Sequence, residues 1–423
     1  MTAPTFPSQP WKLMYYCHDT YGLGHLRRTL TLAGHLRQRE RGASQLIVTG
    51  SPVASSFPYP AGADYVKLPA VIKTGAGQYE GRTIATAFGV VRDMRQDILL
   101  SAARHFKPDV FIVDHAPGGL AGEAVASLRH LKEQVPAAKL VVGLRDVIDE
   151  PSRVRAAWSK EGVYELLDDI YDLILVYGRR DLYDVVAEYG LSPRAAAKTR
   201  FVGYLQRAAG LRSPAAIRAS LPLKTDTLVV VTAGGGGDGK ELFRTTLAAL
   251  RDRSRPASFD CLLVGGPLMP EVDQAELRRL TNGWAKLHFL DFAEDMISYI
   301  AAADAVVTMG GYNTICEVLS LRRPSIVVPR VTPRTEQLIR AEALSQRGLI
   351  RMLHPDDLTP GRLLEELDAL LAAPAASRRW LPMDGLTGVA REVGQLLRRE
   401  PTPTRVYSNV WAAAAPPQML ATI

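Results

Sequence analysis

Two kinds of segment alternate along the chain. Short apolar runs such as Lys12–Cys17, Asp109–Asp114 and Thr227–Thr232 have the length and residue types of buried strands. Between such runs, apolar residues recur every three or four positions, as in residues 26–39, which is typical of a helix packed by one face. Strands that alternate with helices at this spacing predict an α/β protein with parallel sheets covered on both faces.

The alternating pattern occurs twice and is interrupted by one polar segment rich in Ala and Gly. Each block predicts a doubly wound, Rossmann-like domain with a Gly-rich first turn. The C-terminal stretch is dominated by Pro, Ala and Thr, which is typical of disorder. The predicted segments are a first domain at 1–203, a linker at 204–214, a second domain at 215–372, closing C-terminal helices at 373–400 and a disordered tail at 401–423.

Length and cysteine usage limit the class of protein. A chain of 423 residues with 47% hydrophobic content supports two or three domains with large cores. We find no apolar run near the roughly 18 residues that a membrane span needs. Residues 1–10 lack the basic and apolar regions of a signal peptide. Cys17, Cys261 and Cys316 lie far apart in apolar runs, which predicts buried thiols in a reducing compartment, the cytoplasm.

The net charge of +7 indicates little about partners by itself. It is compatible with an anionic substrate, or with weak peripheral association with the negative inner membrane leaflet. A solvated surface with a high pI accounts for the same excess. Basic residues are scattered, aromatic residues make up only 7%, and no nucleic-acid-binding module is present. The sequence therefore predicts no nucleic-acid partner.

A Gly-Gly turn in the second block has the features of an anion site. The apolar run 304–308 predicts a strand, and a helical pattern begins directly after Gly310 and Gly311, with Asn313 or Thr314 as the expected N-cap. Glycines let a ligand approach the backbone, and the free N–H groups and dipole of a helix N-terminus favour negative charge. A tight βα turn without a ligand is the alternative.

The surrounding motifs resemble a known family. Gly-Gly-Tyr-Asn-Thr-x-x-Glu at 310–317, Pro-Ser-Ile-Val-Val-Pro at 324–329 and Glu-Gln-x-x-x-Ala-x-x-Leu at 336–344 resemble the nucleotide-sugar domain of MurG-like GT-B glycosyltransferases. The resemblance implies a GT-B fold, in which two doubly wound parallel-sheet domains face a central cleft. It also implies that the turn holds a diphosphate, the helix Glu a ribose, and the Glu/Gln pair the sugar hydroxyls. Those residues are Gly310, Gly311, Tyr312, Asn313, Thr314, Glu317, Glu336 and Gln337.

Two further segments are candidates for donor binding. The turn Gly234, Gly235, Gly236, Gly237 fits neither the dinucleotide fingerprint nor a phosphate loop, because Glu241 follows the later Gly-Lys pair. The resemblance implies that this turn lies at the sugar-nucleotide phosphates; a flexible hinge is the alternative. The segment 289–296 resembles the part of the family whose backbone pairs with uracil. This implies that the base lies against Phe292 and Ala293, with the donor-site residue Met296 opening the next helix.

His25 is the predicted catalytic residue. A His at the start of a helix, after a Gly-x-Gly turn, suits a base that takes the acceptor proton or a cation beside a departing diphosphate. The motif Gly-His-x-x-Arg-x-Leu-x-Leu-Ala at 24–33 resembles the first turn of MurG-like transferases. It resembles even more the UDP-sugar hydrolase of pseudaminic acid synthesis, in which the His activates water. A capping His with a structural hydrogen bond is the alternative.

Other polar residues are predicted at the same sheet edge. Asp114 and His115 end a strand, and three roles are open to them: to orient His25, to meet the acceptor, or only to form a turn. Gly24, Arg27 and Arg28 are predicted to bind the acceptor, although a solvated basic helix face is the commoner explanation. Weaker candidates are Asp19, Arg145 and Asp146. Residues 62–89 show little periodicity and are predicted to be loops that are mobile or face the acceptor.

The predicted function is transfer of a hexosyl group from a nucleotide sugar, UDP-linked by resemblance, to an acceptor hydroxyl with inversion. The acceptor class (glycan, lipid or small molecule) stays open. We find no Asp-x-Asp pair and no zinc-like His/Glu spacing, which predicts metal-independent transfer without a cofactor. A UDP-sugar hydrolase and a non-catalytic sugar-nucleotide-binding protein are the alternatives. The first turn lacks the Gly-Gly-His of MurG, and no membrane-docking patch is visible, so a lipid-linked acceptor is not implied.

Overall fold

The computed structural model describes residues 10–19, 24–39, 42–75, 78–207, 211–251, 257–374 and 379–398. The predicted tail at 401–423, most of the N-terminal segment, and part of the first Gly-x-Gly turn lie outside the described residues. Among those described, no helix combines the length and apolarity required to cross a bilayer.

The first domain is built on a parallel sheet with the order β3-β2-β1-β6-β7-β8-β9. Its central strands are almost entirely apolar because helices cover both faces. A short antiparallel hairpin, β4–β5, is inserted after β3. The strands are β1 (Lys12–Cys17), β2 (Ser44–Thr49), β3 (Ala63–Lys67), β4 (Val71–Gly75), β5 (Gln78–Gly81), β6 (Val110–Asp114), β7 (Lys139–Arg145), β8 (Leu173–Tyr177) and β9 (Thr199–Phe201).

The second domain has its own parallel sheet with the order β12-β11-β10-β13-β14-β15. In both sheets the chain order reverses beside the first strand, between β1 and β6 and between β10 and β13. Ligands of doubly wound sheets bind at such switch points, outside the carboxyl ends of the strands. The strands are β10 (Leu228–Thr232), β11 (Asp260–Val264), β12 (Leu287–Leu290), β13 (Ala305–Thr308), β14 (Ser325–Val327) and β15 (Arg351–Met352).

Helices cover the faces of both sheets. The last one, α15, packs on α1 and β8, so the C-terminus of the described chain returns to the first domain. The helices are α1 (Gly24–Arg39), α2 (Phe88–Phe106), α3 (Val125–Gln134), α4 (Pro151–Lys160), α5 (Val163–Glu165), α6 (Val185–Glu188), α7 (Pro193–Ala197), α8 (Pro214–Ala219), α9 (Lys240–Leu250), α10 (Glu271–Thr281), α11 (Met296–Ala302), α12 (Tyr312–Ser320), α13 (Glu336–Gln346), α14 (Pro360–Ala372) and α15 (Gly385–Leu397).

Two local predictions are wrong. Residues 62–89 are not simply loops, since β3 extends the first sheet by pairing with β2 and is followed by the β4–β5 hairpin. β3 is a short edge strand without a fully buried residue, so it lacks the apolar run that predicts a buried strand. Secondly, α12 starts earlier than predicted: Gly311 is its N-cap, in place of Asn313 or Thr314.

Candidate active site

A cavity of about 260 Å³ lies between the two domains, at the carboxyl ends of their central strands. The end of β7 and the turns after β10, β11, β12, β13 and β14 line it, together with the N-terminal ends of α1, α11, α12 and α13. The residues predicted from distant parts of the sequence therefore meet at one place. Predicted site residues in its wall are Gly24, His25, Arg27, Arg28, Gly234, Gly235, Gly236, Gly237, Phe292, Ala293, Met296, Gly311, Tyr312, Asn313, Thr314, Glu317 and Gln337.

His25 and Asp114 form a hydrogen-bonded pair at the first-domain side of the cavity. His25 Nδ1 lies 2.6 Å from Asp114 Oδ2. Arg28 donates from Nε to Asp114 Oδ1 at 2.7 Å and from Nη2 to Oδ2 at 2.5 Å. Burial alone would raise the pKa of Asp114, but Arg28 and the hydrogen bonds from Arg28 and His25 hold it well below its usual range. Asp114 is therefore an anion that orients the imidazole.

The ionised carboxylate assigns the tautomer of His25. Because the Asp114 carboxylate can only accept a hydrogen bond from His25 Nδ1, that nitrogen carries the proton, and Nε2 of His25 keeps a lone pair. The His25 side chain is 15% exposed, so it is shielded from bulk water but accessible from the cavity. The N-terminus of α1 is fixed by Asp19, whose Oδ1 accepts from Leu26 N at 3.1 Å. His25 thus has the arrangement of a general base.

Two more histidines surround His25. The ring centroids of His18 and His115 lie 4.2 Å and 5.6 Å from that of His25. Burial lowers the pKa of His18 well below its usual value, and the neighbouring His25 adds to the effect. Burial likewise lowers the pKa of His115, with Arg145 as the next cause. Both rings are therefore neutral at physiological pH.

We expect this burial to make the stability of the protein pH-dependent. Below about pH 6.5 the unfolded chain protonates His18 and His115 while the folded chain does not. Each such proton lowers the free energy of unfolding by about 1.4 kcal/mol per pH unit as the pH falls. His115→Asn keeps a residue that tolerates the left-handed backbone found here (φ 68°). The thermal-unfolding midpoint of the variant should fall less steeply than that of the parent between pH 6.5 and 5. Equal slopes would contradict the assignment of a neutral His115.

Glycine turns form the second-domain side of the cavity. Gly310 has φ 81°, and a Cβ there would lie 2.7 Å from Val327 Cγ1. Gly236 has φ 91°, and a Cβ there would lie 2.8 Å from Gly266 backbone atoms. Both positions therefore require glycine, and the N-terminus of α12 opens between the two turns. The backbone N–H groups and helix dipole of α12 make this wall suitable for a diphosphate.

Gly311 offers a test of this wall. A Cβ at Gly311 meets nothing within 4 Å, its φ of −58° suits any residue, and the position lines the cavity. Gly311→Val should therefore fold normally but occupy ligand space, weakening donor binding by about 1–3 kcal/mol, or roughly 5- to 150-fold in Kd. Calorimetric titration with nucleotide sugars measures this. Gly361→Val, also free of contacts within 4 Å, is the control and should bind as the parent does. Unchanged affinity in the Gly311 variant would place the donor elsewhere.

The two ends of this wall differ in character. Phe292 is 39% exposed, while Ala293 and Met296 are buried, so an apolar surface lies at one end. Glu317 is nearby and buried, and burial raises the pKa of its carboxyl. Its Oε1 lies 3.8 Å from Arg207 Nη2. An apolar surface that can contact a base, beside a carboxyl group that can bond a ribose, is suited to a nucleoside.

The opposite end is more polar and contains an arginine that we had not predicted. Arg330 lines the cavity and donates from Nη1 to Asp238 at 2.8 Å. It also pairs with Glu336, so that the predicted sugar-binding carboxylate is already held by a cation. Gln337 lines the cavity and accepts from Arg330 N through Oε1 at 3.0 Å. Arg330 follows β14, and its place at a strand C-terminus is the signal that could have indicated it.

Three of the predicted ligand-binding side chains also have partners within the protein. Arg28 is 2% exposed and its charge is paired with Asp114. Arg27 donates to the carbonyl of Glu294 at 2.9 Å, across the domains. The ring of Tyr312 is buried, and its hydroxyl donates to Tyr177 O at 2.8 Å. The contacts of Arg27 and Tyr312 join the two domains at the cavity.

A buried ion pair also joins the domains. Asp146 follows β7, and Arg340 lies on α13 and donates from Nη2 to Asp146 Oδ1 at 2.7 Å. Tyr204 Oη donates to Asp146 Oδ2 at 2.8 Å. Arg340 Nη1 also donates to Gly310 O at 3.2 Å, so the pair touches the predicted diphosphate turn. The sequence ranked Asp146 low and did not indicate Arg340, because nothing local shows that the two residues meet.

Metal ligands were not predicted, and the described residues contain no group of three or more His, Cys, Asp or Glu side chains suited to hold a metal ion. Metal-independent transfer stays a prediction. The three cysteines are free and buried, as expected.

Comparison with known proteins finds a family match in the second domain. Residues 230–379 match the glycosyltransferase family 28 C-terminal domain. A relative from Rhodopseudomonas palustris (strain BisB18) is 33% identical over 190 residues. It is named UDP-N-acetylglucosamine–N-acetylmuramyl-(pentapeptide) pyrophosphoryl-undecaprenol N-acetylglucosamine transferase. The alignment covers 43% of this chain and 48% of that protein, so the chain spans about half the length of this relative. The resemblance to MurG-like proteins is confirmed.

Solved structures support the fold over almost the whole chain. MurG of Acinetobacter baumannii superposes with a TM-score of 0.51 at 15% identity, covering 91% of this chain and 95% of that one. A putative UDP-N-acetylglucosamine 2-epimerase of Listeria monocytogenes superposes with a TM-score of 0.59 at 11% identity, covering 93% and 100%. The predicted two-domain GT-B fold is therefore confirmed. Identities this low establish architecture, and the chemistry has to be argued from the site.

Proposed function

We propose that this protein is a glycosyltransferase that moves a hexosyl group from a nucleotide sugar, UDP-linked, to an acceptor hydroxyl. The observation that carries the proposal is the His25–Asp114 pair facing the glycine turns and the N-terminus of α12 across one cavity. A base on one wall and an anion-binding surface on the other are what displacement of a diphosphate requires.

In the proposed reaction, His25 Nε2 takes the proton of the acceptor hydroxyl. The acceptor oxygen then forms a bond to the anomeric carbon as the bond from that carbon to the diphosphate oxygen breaks. The electron pair leaves with the nucleoside diphosphate, whose charge is met by backbone N–H groups and the dipole of α12. Asp114 stabilises the imidazolium that forms. A single displacement inverts the anomeric centre, and no step requires a metal ion.

Donor placement follows from the character of each wall. The base would lie against Phe292, the ribose near Glu317, and the transferred sugar toward Gln337. Family resemblance and this arrangement agree on the order from base to sugar. The Rhodopseudomonas relative is named for UDP-N-acetylglucosamine, which supports a UDP-linked donor. Neither the sugar nor the acceptor is assigned.

A hydrolase is the second candidate, because the same pair would equally activate water. The Gly-His-x-x-Arg motif at 24–28 favours it. The fold itself is not restricted to transferases, since a putative UDP-N-acetylglucosamine 2-epimerase shares it. In this case water takes the place of the acceptor hydroxyl and the products are a free sugar and the nucleotide. A protein that binds the donor without turnover is the third candidate.

Nucleotide release from UDP-, GDP-, dTDP- and ADP-sugars, with EDTA present and acceptor absent, separates the three. We expect one class of donor to bind tightly with slow release that an acceptor accelerates. Rapid release without acceptor would establish the hydrolase, and binding without turnover toward any acceptor would favour a non-catalytic role. If none of the donors bound, the proposed function would be wrong. Reversible loss of activity on adding EDTA would overturn metal independence alone.

A further inference from the structure

Arg145 is a cation at the cavity without an anionic partner among the described residues. It is the last residue of β7 and lines the first-domain wall. Its Nη2 donates to His115 Nε2 at 2.7 Å, and its Nε is buried without any partner. A guanidinium in such a place normally pairs with a carboxylate, because leaving the charge shielded from water and unpaired is costly.

The carboxylates around Arg145 are already paired; Glu336, whose charge also acts on Arg145, is held by Arg330. Asp114 is held by Arg28 through two hydrogen bonds, and Asp146 by Arg340 through three. Burial, with repulsion from Arg28 and Arg340 next, lowers the pKa of Arg145 to about 10. The group is still charged at neutral pH, so this wall of the cavity has an excess positive charge.

Two buried imidazole nitrogens beside Arg145 and His25 also lack a partner. His115 accepts from Arg145 at Nε2 and is neutral, so its proton is on Nδ1, which is buried and has no partner. His18 Nδ1 is also buried without a partner. Buried polar atoms are satisfied in most folded proteins, and a group of unsatisfied ones beside a cavity indicates a missing ligand.

We propose that Arg145 and His115 form an oxyanion subsite for a carboxylate or phosphate carried by one of the two molecules that react at His25. The His115 ring lies 5.6 Å from that of His25, which places the subsite at the reacting end and away from the nucleoside end at Phe292. A guanidinium presents two parallel N–H groups that match either oxyanion. The inference rests on the proposed function and narrows its substrates to an acidic transferred sugar or an acidic acceptor.

The first experiment needs no nucleotide. Inorganic phosphate is titrated into the protein by calorimetry, for the parent, Arg145→Gln and the control Arg279→Gln, which changes an exposed arginine of α10. The Arg145 variant should bind phosphate about tenfold or more weakly than the parent and the control. Arg145→Lys keeps the charge but lacks the two parallel N–H groups, so its phosphate affinity should lie between those of the parent and Arg145→Gln. It also replaces Arg145→Gln in the test if that variant does not fold. Equal phosphate affinity in all proteins would overturn the proposal.

The second experiment identifies which molecule carries the acid. UDP-glucuronate is compared with UDP-glucose as donor, and glucose 6-phosphate with glucose on the UDP-loaded protein. If a preference for the acidic member of the donor pair disappears in Arg145→Gln, the transferred sugar carries the acidic group. If this happens with the acceptor pair, the acceptor carries it. No preference in either pair would refute the subsite while leaving the proposed function intact. If no UDP-sugar bound, the proposed function would fail, and the phosphate titration would still decide on the subsite.

Discussion

Replacing His25 with alanine should lower kcat by about 10²- to 10⁴-fold, the range typical of losing a general base. His25 is the only group described at the reacting end whose imidazole has a free nitrogen accessible from the cavity and an ionised carboxylate behind it. Donor affinity should change little, because the glycine turns that we propose hold the diphosphate are on the other wall. Single-turnover release of nucleotide, measured beside calorimetric donor binding, separates the two quantities.

A matched control and a rescue make this test specific. His105→Ala removes an exposed histidine of α2 that bonds only to the carbonyl of Ser101, and it should leave kcat unchanged. Added imidazole should partly restore turnover of the His25 variant, since the missing base can then be supplied from solution. A His25 variant as active as the parent would exclude His25 as the base and leave a capping role at α1.

Replacing Arg340 with methionine should lower the free energy of unfolding by about 3–5 kcal/mol, because Asp146 would be left as a buried, unpaired charge. Arg340 and Asp146 are 1% and 2% exposed, and Arg340 donates to the carboxylate from both Nε and Nη2. Burial opposes the charge of Arg340, but Asp146 raises its pKa above the ordinary value. Urea unfolding followed by circular dichroism measures the loss.

The control for this prediction lies at the end of the same helix. Arg347, the C-cap residue of α13, pairs with Asp181 at 3.2 Å, but the two side chains are 49% and 46% exposed. Arg347→Met should therefore cost no more than about 1 kcal/mol. Adding Asp146→Asn to the Arg340 variant should recover part of the loss, since it removes the unpaired charge. Equal effects of the Arg340 and Arg347 variants would show that the buried pair does not stabilise the fold.

The pair also connects stability with the site. Arg340 bonds the carbonyl of Gly310 as well as Asp146, so one side chain fixes the second-domain turn against the first domain. Asn313 makes a second link, donating to the carbonyl of Gly24 at 3.2 Å. The relative position of base and diphosphate wall is thus set by contacts between domains, and small displacements there cost much catalytic rate.

Sequence alone determined the architecture and most of the second-domain wall. Apolar runs alternating with helical periodicity required parallel sheets, because buried strands covered on both faces have no polar positions. The glycine turn at 310–311 was recognisable since its chemistry is local: a strand end, a positive φ and a helix N-terminus follow one another in the chain. His25 was indicated for the same reason, by the turn and helix that flank it.

Only the tertiary structure decided how charges are shared across the cavity. The hydrogen bonds of Asp114 span 86 and 89 residues of sequence, and those of Asp146 with Arg340 span 194. Which carboxylates are occupied, and hence that Arg145 has no anionic partner among the described residues, follows from these distant pairings. Local spacing carries no such information, because parallel strands bring together turns whose order in space differs from their order in the chain.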